Sequence, residues 1–94
     1  MNKPNLNYVR DFIERIKTEI IEPAQLFDKL SFEEKKRLYN LANEISNEVN
    51  GLRVSLYAQW ILNRDEELGQ ILEILEKIDS ELGNIIILMG RALH

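Results

Sequence analysis

Cysteine is absent from this chain of 94 residues, which excludes a disulfide framework, a thiolate metal site and a thiol nucleophile. The single histidine is the last residue, His94. A Ser-His-Asp triad therefore has no base in the body of the chain, and a di-iron carboxylate bundle lacks its paired histidines. Proline occurs twice and glycine four times, so little in the sequence interrupts long helices. The longest purely apolar run, Ile85–Met89, is far too short for a membrane span. Residues 1–5, Met-Asn-Lys-Pro-Asn, carry none of the apolar core of a secretory signal. A cytoplasmic protein with no membrane partner is the expectation. A formal charge of −4 argues against nucleic acid as a partner.

What the sequence does hold is helical periodicity. Leu68, Ile71, Leu75, Ile78, Leu82, Ile85, Met89 and Ala92 step by three and four without a break, a heptad stripe that must be buried against other helices. Leu6, Val9, Ile13, Ile16 and Ile20 repeat the spacing and predict a first helix over about 5–22. Pro23 is expected to stop it and to open a short connecting helix over about 23–30. Leu26, Phe27 and Leu30 of that piece are expected to plug one end of the core. Ser31-Phe32-Glu33-Glu34 reads as a capping box. Beyond it Leu38, Ala42, Ile45, Val49, Leu52 and Leu56 predict a helix over about 32–62.

Extending that stripe by sevens lands on Asn63 and Gln70, both polar, so the rod must break before Leu68. Asn63 is the expected cap of a last helix over about 64–92, with a weak point at Gly83. The fold class expected is all-α: one domain, residues 1–94, an antiparallel bundle built on a long helical hairpin. Two stretches, 52–62 and 85–89, are apolar nearly all round and lie at opposite ends of that hairpin. A first helix of roughly 27 Å cannot cover both along a hairpin of roughly 45 Å. A homodimer of paired hairpins, with the first helix of each chain outside, is therefore expected.

Chemistry-bearing residues cluster on the last helix. From Asp65 onward there are seven acids and two bases, against nine acids and ten bases before it. Glu66, Glu73 and Glu76 fall on the side away from the heptad stripe and form an acidic face. Gly69, Gly83 and Gly90 fall in one heptad column, read as tolerated surface glycines and a frayed end in preference to a smooth strip where another backbone approaches. Tyr57 and Trp60 near the predicted turn are the best contact anchors, since aromatics dominate interface energetics. Lys35-Lys36-Arg37, the one basic run, follows Glu33 and Glu34 and reads as a charge-balanced first turn.

Glu66-Glu67-Leu68-Gly69-Gln70-Ile71-Leu72 resembles the second metal-binding helix of the all-α nucleoside triphosphate pyrophosphatases, although Gln70 stands where that family has aspartate. Glu76-Lys77-Ile78-Asp79 carries the family's Glu-x-x-Asp spacing deeper in the helix. The resemblance implies Mg²⁺ held against a nucleotide's phosphates by Glu44, Glu48, Glu76 and Asp79. The reading preferred is a non-enzymatic module, without metal or cofactor, that acts as an adaptor, inhibitor or immunity-type regulator. It would bind another protein through Tyr57, Trp60, Glu73 and Glu76, an acidic helical face beside an apolar groove.

Overall fold

The computed structural model describes residues 5–94, and among these every regular element is helical. The chain begins with α1 (Asn7–Ile16), which passes through one wide π turn (Lys17–Ile21) into α2 (Glu22–Gln25). A 3₁₀ turn (Phe27–Lys29) then leads to α3 (Phe32–Asn63) and α4 (Glu66–Leu93). The two long helices form the predicted antiparallel hairpin, and α1 packs alongside it. The molecule is a rod, 50 × 20 × 16 Å.

Pro23 does not stop the first helix, contrary to expectation. Glu22 remains helical at φ −63° and ψ −50°, and its amide donates to the Lys17 carbonyl five residues back. Proline has no amide to give and its ring presses on the carbonyl four residues before it. Widening the preceding turn by one residue relieves that pressure and lets the helix continue to Gln25. The connecting helix expected over 23–30 is reduced to the turn at Phe27–Lys29. Phe27 plugs the core and Leu30 is half-buried, but Leu26 points outward at 55% exposure.

The start of α3 is the predicted capping box. Ser31 Oγ accepts from the Glu34 amide at 3.2 Å, and the Ser31 amide donates to Glu34 Oε1 at 3.0 Å. Two otherwise orphaned donors are thereby satisfied. Both hydrogen bonds to Ser31, the backbone one first, and the nearby Arg37 guanidinium hold the Glu34 carboxyl below its ordinary value of 4.5.

The turn between the long helices departs from expectation in detail. Asn63 is still helical, so it cannot turn its side chain onto the amides ahead of it. Arg64 takes the left-handed conformation at φ 51° and ψ 36° and ends α3. Asp65 then adopts an extended backbone and caps α4, its Oδ1 accepting from the Leu68 amide at 3.1 Å. Gly83 introduces no break. Among the described residues only Arg64 has positive φ, so the left-handed residue that a helix stop at Gly83-Asn84 requires is missing.

The core is the meeting of three stripes. Leu6, Val9, Ile13, Ile16 and Ile20 pack with Leu38, Ala42, Ile45, Val49 and Leu56 of α3. From α4 come Leu68, Ile71, Leu72, Leu75, Ile78, Leu82 and Met89. Ile85 is half-buried and Ala92 exposed, so the α4 stripe loosens towards its end. No polar or charged residue among those described is buried. The rod is held by apolar burial, at about 1.5–3 kcal/mol for each large side chain. No helix among the described residues is long and apolar enough to cross a membrane.

Candidate functional site

The hairpin has two long sides, and the first helix occupies one of them. Arg10 of α1 pairs with Glu67 of α4, and Pro23 of α2 lines a shallow apolar pocket with Glu34, Leu38 and Leu41 of α3. On the other side, two columns of every seventh residue run past each other. One is Phe32, Tyr39, Ser46, Arg53 and Trp60 on α3; the other is Leu72, Asp79, Ile86 and Leu93 on α4. Contacts along the length fix their alignment: Tyr39 lies against Gly90, Arg53 Nη1 stands 3.9 Å from Asp79 Oδ2, and Trp60 lies against Gly69.

The glycine column predicted on α4 therefore has a use that spacing alone did not disclose. A Cβ at Gly69 would stand 3.1 Å from Trp60 Nε1, and one at Gly90 would stand 3.3 Å from Tyr39 Oη. What approaches these glycines is an aromatic ring of the chain's own α3, not a foreign backbone. Gly83 has nothing within 4 Å of such a Cβ. The signal was present in the sequence, because Tyr39 and Trp60 are separated by three heptads just as Gly69 and Gly90 are.

Near the hairpin turn this side opens into a hollow of about 650 Å³ lined by residues of α3, α4 and their link. Tyr57 and Trp60 stack in it with ring centroids 5.9 Å apart and planes 28° from parallel. Arg64, fixed by its left-handed backbone, holds its guanidinium 4.2 Å from the Trp60 ring centroid. Leu72 supplies the apolar floor, and Glu66, Glu73 and Glu76 reach the rim. The four residues singled out as partner contacts, Tyr57, Trp60, Glu73 and Glu76, thus all line one concavity. Tyr57 is 52% exposed, whereas Trp60 is half-buried against the core.

Sequence reasoning missed Arg53 and Arg64, which add positive charge to a surface read as acidic. Val54 and Ile61, in the stretch 52–62 read as apolar nearly all round, are exposed beside Tyr57 on α3. The basic run behaves as a solvated turn: Lys35 Nζ lies 5.4 Å from the Phe27 ring centroid and Lys36 Nζ lies 5.7 Å from that of Phe32.

The magnesium reading finds no donor set here. Asp79 faces Arg53, and no group of three or more His, Cys, Asp or Glu side chains among the described residues is placed to hold a metal ion. Glu44, Glu48, Glu76 and Asp79 are not gathered. What the arrangement can do is bury a side chain or a helix in the hollow and meet cations at its rim. No family model, curated protein or solved structure matches the chain.

Proposed function

We propose that this chain is a small, non-enzymatic protein-binding module, an adaptor, inhibitor or immunity-type regulator, working through the side of the hairpin that α1 leaves open. The observation that carries this is the exposed Tyr57 stacked on Trp60 over a hollow whose rim holds Glu66, Glu73 and Glu76. Exposed aromatics beside an apolar floor are the usual anchors of an interface, and a rim of charge sets its specificity and rate of approach. Homodimer formation and a cytoplasmic location belong to the same proposal.

Tyr57→Ala tests it, because Tyr57 is exposed and its loss leaves the core intact. The expected cost to binding is about 2 kcal/mol or more. Partners recovered with the wild-type chain from the cells that make it should be lost with Tyr57→Ala and with Glu73→Lys/Glu76→Lys. Equal recovery by all three chains would reject the hollow as the binding surface.

A further inference from the structure

We infer that the first occupant of this open side is the same side of a second copy, related by a two-fold axis parallel to the hairpin. The inference rests on the proposal above that this side is a docking surface, and it names what docks.

Size is the first argument. A side 50 Å long and 16–20 Å wide offers a footprint of about 800–1,000 Å², what one partner contributes to a standard interface. A short peptide in the hollow would leave most of that length bare, including Phe32 at 60% exposure near the far end.

Charge is the second, and it selects the geometry. The α3 half of this side bears Lys36, Arg53 and Arg64; the α4 half bears Glu66, Glu73, Glu76 and Asp79 towards the turn, with Lys77 beside them and Arg91 at the far end. Among the described residues no base lies within ion-pair distance of Glu66, Glu73 or Glu76. A two-fold axis across the helices would set α3 on α3 and α4 on α4, where Arg53 and Arg64 find no acid on the facing α3 half. An axis along the helices sets α3 of each copy on α4 of the other and keeps every residue at its own level. Arg53 already stands level with Asp79 inside one chain. In the dimer it therefore also meets the other copy's Asp79 and Glu76, and Arg64 comes level with the other copy's Glu66. Opposite charges facing one another in this way fix register as well as attraction.

The apolar groups follow the same operation. Tyr57 and Leu72 line the same hollow within one chain, so Tyr57 of each copy enters the hollow of the other. Four helices then enclose a common core, each long helix antiparallel to both neighbours, with α1 of each copy on the outside.

Sedimentation equilibrium of the full chain over about 1–100 µM should give twice 11.1 kDa. Glu76→Arg should weaken the dimer about tenfold or more, with circular dichroism unchanged because Glu76 is exposed. Arg53→Glu/Glu76→Arg/Asp79→Arg should restore it, since the exchanged charges still face each other within and between the copies. A monomer throughout the range, or a dimer indifferent to Glu76→Arg, overturns the inference. A photoreactive side chain at position 57, activated in cells, separates this failure from that of the broader proposal. An adduct of two copies supports the dimer. Adducts of other mass alone reject the dimer and leave another protein as the occupant. No adduct rejects both.

Discussion

Single residues carry the sharpest predictions because their neighbours are known atom by atom. Ser31 and Glu34 exchange hydrogen bonds at the head of α3, so Ser31→Ala should destabilise the fold by about 1 kcal/mol in urea unfolding. Glu34 adds a pH dependence. Its folded value is lowered, so its contribution is present above the ordinary value of 4.5 and is lost as pH falls through the folded value. The stability difference between wild type and Glu34→Gln should therefore shrink steadily as denaturation is repeated at pH values below 4.5. The glycines of α4 should divide by what stands over them. Gly83→Ala has open space and gains helix propensity, about 1 kcal/mol. Gly69→Ala meets Trp60 at 3.1 Å and should yield less, with a shift of the tryptophan emission as the ring gives way. The capping box and the three-heptad match of Tyr39 and Trp60 to Gly90 and Gly69 were present in the sequence, but the open space over Gly83 was not legible there. Three glycines at one heptad position look alike until the rings across from them are located.

At the scale of elements, periodicity was sufficient for the long helices and insufficient for their ends. The stripe from Leu68 to Met89 set α4 in its observed phase, because burying one continuous apolar column outweighs the cost of Gly83 within it. Leu75, fully buried at the middle of that column, should cost about 2–5 kcal/mol as Leu75→Ala by the same unfolding measurement. Ends are decided by short-range geometry that a pattern does not encode. The chain reverses on one left-handed residue, Arg64, so the capping role passed from Asn63 to Asp65. Proline is a stop signal only for a regular helix. The π turn ahead of Pro23 shows a second solution, and no feature of Lys17–Ile21 announced it.

For the whole molecule, the sequence reading reached the hairpin, its accompanying first helix and the gathering of Tyr57, Trp60, Glu73 and Glu76, since all follow from helix phase. It did not reach the division of the rod into a covered side and an open one. That depends on which groove of the hairpin takes the stripe of Val9, Ile13, Ile16 and Ile20, a matter of packing across long sequence separations that the exposed Arg10–Glu67 pair marks rather than decides. The donor set of the magnesium reading shows the same limit: correct spacing along one helix says nothing about what the facing helix presents, which at Asp79 is a guanidinium.

The chain's sole tryptophan stands on the open side, half-covered, with a cation over its face. Whatever settles there must change the water and the electric field around that indole. The protein consequently carries its own optical probe: emission colour and quenching by iodide or acrylamide would follow occupancy directly, with no dye attached and no second chromophore of its kind to confuse the signal.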